Sequence, residues 1–559
     1  MKSIHQKIKR WDGARRTATE GSVRNIPYFR NFILLAAIVN CAWIAQSQTA
    51  TPGADKAVGN PQSAADALKA LDQLVQQNKK LMEQNQQVQE QNRALMEQLE
   101  SLRLSLAAQS GVPAPKAEKQ QAPVGEQEVW VPDDTQEGAE KEVPVSEAIA
   151  MGAISAAPAE GPKKWGTYTP NLGFKVADTD YGDMSIGIFS YVRYLNQLDL
   201  APTSTNAFGV TSNIQQRQDF QLQKVQIKFM GWVMSPELRY FLYTWTSNAN
   251  QGQGAQVVVA GNLNYQFNKY FTLSGGINGL PGTRTLEGNF PYWLSEDSRL
   301  IADEYFRPSY TSGIWARGQI TDKMRYMFML GDNLSTLGVN AGQLPNNLST
   351  IAAQWAWMPS TGEFGAGFGD FEDHEKLATR IGAHYTHSRT DRQSQPNTDA
   401  FQNTQIRLSD GSVVFTPNLF GPGIIVNKVT YNMTTIDGGI KKHGFALEGE
   451  YYMRWLTDWS GINTQGLPNL FDKGFQMQVS KMILPKTFQV YAGGSTIWGK
   501  YGTPYDARVG ANWFPFKNRV VRWNNEMLYL FNSPVGYLAV PFALGGKGWV
   551  YMSNWELAF

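Results

Sequence analysis

Eleven charged residues fall at alternate positions of otherwise apolar segments: Lys224, Lys228, Arg317, Arg325, Arg380, Glu448, Glu450, Arg454, Arg508, Arg522 and Glu526. Side chains two apart in an extended chain share a face. In FALEGEYYMRW, Phe445, Leu447, Tyr451, Met453 and Trp455 therefore line one side, while Glu448, Glu450 and Arg454 line the other. The chemistry this permits is electrostatic: acidic and basic walls facing each other across water create a transverse field that orients hydrated solutes and tunes ion preference. The blander reading is that these charges pair with one another and solvate a wall. A second set, Arg284, Glu296, Asp297, Arg299, Asp303, Glu304 and Arg307, is concentrated in one connecting segment, 281–310. Folded inward, it would form a narrow zone, with Phe290, Tyr292 and Trp293 pinning it; otherwise it is an exposed loop.

Catalysis and metal binding find little support. The histidines are His5, His374, His384, His387 and His443, and the pair in HYTH, His384 and His387, is three apart and so splits between the faces of a strand. No nucleophile elbow, phosphate-cradling glycine loop or His–Glu metal motif is present. The reading is therefore a non-enzyme without cofactor or metal. A net charge of +2 argues against a nucleic-acid partner, and a single Cys excludes an internal disulfide framework.

Charges on one face and apolar residues on the other require strands between water and lipid. Sixteen segments carry this period, near 184–194, 219–233, 238–247, 257–267, 270–278, 312–320, 324–332, 351–366, 376–387, 424–436, 443–456, 474–483, 487–497, 506–514, 520–531 and 548–559. Their connections alternate short and long, the asymmetry of an outer-membrane barrel, whose even strand number places both ends on the short-turn, periplasmic side. GDFEDHEK, before the ninth strand, is longer than its side should allow. A soluble sandwich or propeller is the competing all-β architecture. The final segment, WVYMSNWELAF, presents Trp549, Tyr551, Trp555, Leu557 and Phe559 to lipid and Met552, Asn554 and Glu556 to the lumen.

The expected organisation is a signal peptide over 1–47, a short linker over 48–63, a coiled coil over 64–106, a Pro/Ala/Glu-rich linker over 107–164 and a transmembrane antiparallel β-barrel over 165–559. The coiled coil rests on a 3,4 spacing running from Leu71 to Leu106, with Asn78, Asn85 and Asn92 at a positions, where buried amides fix register. It predicts a homo-oligomer and a helix about 64 Å long in the periplasm.

The barrel half resembles the phosphate-selective porin O and P family of Gram-negative outer membranes. The resemblance is carried by GFKVADTDYGDMSIGIFSYVRY (173–194), FQLQKVQIKFMGWV (220–233), FTLSGGINGLPGTRTLEGN (271–289) and YDARVGANWFPFKNRVVRWNNEML (505–528). It implies a trimeric sixteen-stranded porin with an infolded third loop, passing small hydrophilic solutes or ions, with anions such as phosphate among them. It also implies outer-membrane lipid around the barrel and a terminal aromatic, Phe559, read by the barrel-assembly machinery. Gln223 and Lys224 stand where the family has paired arginines, and residues 165–559 hold 31 Lys and Arg against 29 Asp and Glu. Phosphate specificity is accordingly not carried over. The second function class is a structural anchor, with the coiled coil contacting peptidoglycan.

Overall fold

The computed structural model describes residues 166–169, 173–247, 256–287, 290–336, 348–365, 367–391, 406–536 and 542–559. In chain order the strands are β1 (Tyr168–Thr169), β2 (Gly173–Thr179), β3 (Gly182–Asn196), β4 (Thr203–Thr205), β5 (Thr211–Asn213), β6 (Gln218–Val233), β7 (Ser235–Ser247), β8 (Gln256–Asn268), β9 (Phe271–Gly279) and β10 (Tyr310–Thr321). They continue with β11 (Met324–Gly331), β12 (Thr350–Trp357), β13 (Ala378–Asp391), β14 (Ile425–Lys442), β15 (Phe445–Ile462), β16 (Leu470–Leu484), β17 (Phe488–Trp498), β18 (Tyr505–Trp513), β19 (Val521–Phe531) and β20 (Gly548–Ala558). β3 and β6 to β20 pair antiparallel with their sequence neighbours, and β20 returns to β3, with Trp555 opposite Val192. The result is a closed barrel of sixteen strands, which leaves no continuous open sheet edge.

The coiled coil over 64–106, with Asn78, Asn85 and Asn92, lies outside the described residues, as do the signal peptide and linkers. Among the described residues the helical elements are a 3-10 turn, Arg284–Leu286, and α1, Ile301–Phe306, six residues long. The expected fold, a barrel with a periplasmic coiled-coil helix, is therefore corrected to the barrel: the described fold contains no long helix. The periplasmic placement and the anchoring role built on that helix are not carried forward.

The outer face is apolar because alternation puts it there. Trp513, Trp523 and Trp555 form one aromatic group near the short-turn end of β18 to β20, with the last two rings stacked at 6.0 Å. Tyr505, Tyr529, Phe531 and Trp549 form another toward the long-loop end. The two groups are about 20 Å apart along β19. Aromatic girdles at two heights on a wall of exposed Leu, Ile and Val are what lipid and its two interfaces select. The polar Asn525 on this face accepts from the Tyr551 hydroxyl at 2.9 Å.

Closure at the carboxyl terminus is explicit. Phe559 exchanges two backbone hydrogen bonds with Ile188, at 2.7 and 2.8 Å, and its ring meets Phe174 of β2 edge-on at 5.4 Å. A Cβ at Gly187 would lie 2.7 Å from the Phe559 carbonyl oxygen, so this seam needs glycine. Deleting Phe559 is expected to lower the amount of heat-modifiable folded barrel in outer membranes several-fold. The conductance of the fraction that folds should be unchanged; undiminished folded protein would contradict this role for the seam.

Candidate functional site: the strap across the lumen

Residues 280–287 and 290–309, between β9 and β10, cross the barrel interior as a strap, and the wall holds it by charge and by backbone. Two arginines of late strands and one of β3 donate to strap carbonyls: Arg508 to Ser298 O at 2.9 Å and Arg299 O at 2.6 Å, Arg522 to Trp293 O at 2.6 Å, and Arg193 to Glu296 O at 2.8 Å. The amides opening α1 are satisfied by wall side chains, Ile301 N by Asp506 at 3.1 Å and Ala302 N by Ser495 at 3.0 Å. These answer the orphan donors that any helix start leaves.

Side chains complete the attachment. Arg522 bridges Glu296 of the strap and Glu556 of β20. Arg284 pairs with Glu287 at 3.1 Å and Glu448 at 3.5 Å, and its amide donates to Glu450 at 3.0 Å. Arg380 pairs with Glu287 and, at 2.8 Å, with Asp437. Arg454 pairs with Asp472 at 2.7 Å beside Tyr305, while Phe306 stacks flat on Tyr452 at 5.1 Å. Arg307 and Glu304 form a paired fork at 2.7 Å, Arg299 reaches Asp303 at 3.6 Å and Glu304 at 3.3 Å, and Lys224 meets Asp297 at 2.6 Å. Glu526 accepts from Tyr491 at 2.7 Å and lies 3.5 Å from Arg508.

The seven charged strap residues are thus brought together inside the barrel with most of the strand charges. Lys228 and Arg325 stand apart from this network. They are half-buried, and neither forms an ion pair among the described residues. Arg325 donates to carbonyls, including Asp322 O at 3.1 Å, and Arg317 donates to Asn264 at 2.9 Å.

Of the expected aromatic pins, Phe290 meets Phe189 of β3 at 4.7 Å and Trp293 within the strap at 5.3 Å. Tyr292 lies under Arg519 at 4.5 Å.

A second inward segment includes GDFEDHEK, whose excess length the sequence shows but whose infolding it does not. The eighth strand stops at Trp357, and residues 358–365 and 367–377, on the short-turn side, fold in against the strap. Phe368 N donates to Tyr292 O at 2.9 Å, and Gly367 O accepts from Lys441 at 2.9 Å and Arg284 at 3.1 Å. Gly367 has φ +69 and a Cβ there would sit 2.1 Å from Tyr292 O, so only glycine lets the two segments touch. The alternating Gly and Phe of GEFGAGFGDF was the available signal.

His374 clamps this segment between Asp370 and, at 3.0 Å, Glu363. Burial opposes its charge, but hydrogen bonds to the two carboxylates outweigh that and push its pKa up to about 10. A pKa raised above the ordinary value of about 6.5 contributes stability that is full below that value and is lost as pH rises through the folded-state pKa of about 10. The folded barrel should therefore lose thermal resistance between about pH 7 and about pH 10.5, and His374→Gln should lack that part of the loss. Identical pH profiles in a heat-modifiability assay would refute the clamp.

On the long-loop side the lumen carries an apolar layer rather than water-facing charge. Leu456, Leu528, Leu530, Val550 and Met552 of the wall pack with Ile406, Leu408, Val414, Phe415 and Phe542 from infolded loops.

Glu287, His384 and Asp437 lie close enough to share a metal ion. Arg380 already pairs with both carboxylates, and His384 donates to Asp437 across 2.9 Å, so the negative charge has its cation. His387, on the opposite face, bonds Asn432 at 2.8 Å.

No protein-family description matches the chain, and no curated protein does. Among solved structures it is similar to an anion-selective porin from Comamonas acidovorans, at 8% identity and a TM-score of 0.41, with 68% of this chain and 100% of that one covered. OmpT, an outer-membrane protein of Vibrio cholerae in trimer form, gives 10% identity, a TM-score of 0.41, and coverage of 68% and 100%. The outer-membrane channel DcaP of Acinetobacter baumannii gives 8% identity, a TM-score of 0.40, and coverage of 68% and 99%. The resemblance to phosphate-selective porins with a coiled-coil extension is corrected to the fold alone: a closed barrel of sixteen antiparallel strands.

Proposed function

We propose that the chain is an outer-membrane channel for passive diffusion of small hydrophilic solutes, with a preference for anions. The observation that carries this reading is the distribution of charge around the wall. Strands β8 to β12 contain no Asp or Glu, and Arg317 on β10 and Arg325 on β11 belong to their inner face, with Lys228 on β6 two strands before them. The inward acidic side chains of β14 to β20 are engaged with arginine, lysine or the strap. Solute passing between the strap and the β6 to β12 side therefore meets a wall with cations and few carboxylates, which favours anions.

Phosphate is one member of that class, with nothing in the wall singling it out. A homo-oligomer, as a trimer, and insertion by the barrel-assembly machinery through Phe559 belong to the same proposal. The test is the reversal potential of purified full-length protein in planar bilayers under a KCl gradient. A chloride-over-potassium preference is expected; a cation preference overturns the selectivity, and a silent protein overturns the channel.

A further inference from the structure

Between the strap and the β6–β7 wall lies a cavity of about 40 Å³, open on one side and lined by Lys224, Gln226, Tyr243, Trp245, Phe290, Trp293, Arg299 and Tyr310. This is room for about three waters at about 10–15 Å³ each. Most of its lining residues are aromatic, which no water cluster requires.

One buried donor at this cavity lacks an acceptor. Trp293 is 6% exposed and its Nε1 has no hydrogen-bond partner, whereas Arg299 Nε faces Asp303 Oδ2 at 3.6 Å. Buried polar groups in folded proteins are satisfied in about nine cases of ten, so an unfilled donor on this cavity points to an acceptor supplied from outside the chain. Lys224 adds to the demand. Its ammonium bonds Asp297 at 2.6 Å and lies 4.7 Å from the Phe290 ring centre and 5.2 Å from that of Trp245. An ammonium has three donors, and a hydrogen bond to one carboxylate oxygen leaves it able to take another acceptor.

We propose that this cavity is a binding station for small aromatic carboxylates on the path through the barrel. The carboxylate head, which only accepts hydrogen bonds, fits the donors, and the flat ring lies against the aromatic rim at the open side. Inorganic phosphate satisfies the donors but leaves the rings without a partner. A neutral ring does the reverse. The proposal rests on the channel reading for its purpose, since a solute must reach the lumen, but its binding step is measurable without current.

Calorimetric titration of the folded full-length protein in detergent with sodium benzoate should give saturable binding, with benzamide and inorganic phosphate failing to compete. Trp245→Leu, which removes one ring, and Trp293→Phe, which keeps the aromatic face and removes Nε1, should each weaken benzoate binding about tenfold, with folding verified by heat modifiability. One aromatic contact or one hydrogen bond to a charged group is of that size. Competition by phosphate at equal concentration would reduce the site to a simple cation patch, and equal binding of benzamide would remove the role of charge; either result overturns the proposal. So does absence of benzoate binding by a protein that conducts. Binding retained by a protein that does not conduct would uphold the station and overturn the channel.

Discussion

Replacing Lys228, Arg317 and Arg325 together by glutamate will invert the sign of the reversal potential. The three positions sit on a stretch of wall whose strands β8 to β12 supply no carboxylate, so reversing these charges reverses the sign of the wall. A unit charge about 7 Å from a permeating ion is worth about 0.6 kcal/mol in water. The triple change alters the wall by six units. Screening over about 10 Å at about 0.1 M salt attenuates this, but the remainder exceeds the roughly 1.4 kcal/mol that corresponds to a tenfold change. The chloride-to-potassium permeability ratio should therefore fall by at least about tenfold at low salt, and less in about 1 M KCl. Lys228→Glu with Arg325→Glu should give most of the effect, because both side chains are half-buried while Arg317 is 6% exposed. An unchanged reversal potential would show that solute travels elsewhere.

Arg522→Met should loosen the strap more than any comparable change on the β11 side. It removes the shared cation of Glu296 and Glu556 and the donor to Trp293 O at once. Breaking a buried pair by deleting one partner costs about 3–5 kcal/mol, because the other charge remains buried and unmatched. Here two carboxylates are left. Arg325→Met deletes an arginine without an ion pair among the described residues and should cost about 1 kcal/mol or less. Arg522→Lys should restore only part of the loss, since a lysine cannot present the guanidinium fork to both carboxylates and a carbonyl. The expected readouts are a lowered temperature for conversion of the folded band and larger current fluctuations in Arg522→Met. Equal melting of the Arg522→Met and Arg325→Met variants would mean that the strap is held by its aromatic contacts instead.

The strands were legible because a period of two survives in sequence whatever the surroundings. Even the inner face of β20 follows from counting back from Phe559: Met552, Asn554 and Glu556 are buried while Trp549, Trp555 and Leu557 are exposed. What Arg454, Arg508 and Arg522 do inside was not legible. Alternation places a side chain within the barrel, but the carbonyls of Trp293, Ser298, Arg299 and Tyr305 that accept from them have no residue type and leave no mark in sequence. The strand end at Trp357 was missed for a related reason: GEFGAGFGDF carries enough Phe to pass as alternation, yet positive φ at Gly365, Gly367 and Gly369 bends it inward. The infolded layer of Ile406, Leu408, Val414 and Phe415 leaves a weak mark in sequence, because Arg407 and the polar run from Ser409 to Ser412 interrupt its apolar residues.

The strap also dictates an order of events. Trp293, Ser298 and Glu296 find their partners 229, 210 and 226 residues further along the chain. Contacts so distant in sequence cannot form until the intervening chain has been brought round. The arginines of β18 and β19 arrive near the end of synthesis, and β20 must join β3 before the pocket they line exists. The newly closed barrel is thus expected to be briefly hollow, with docking of the strap as its last step.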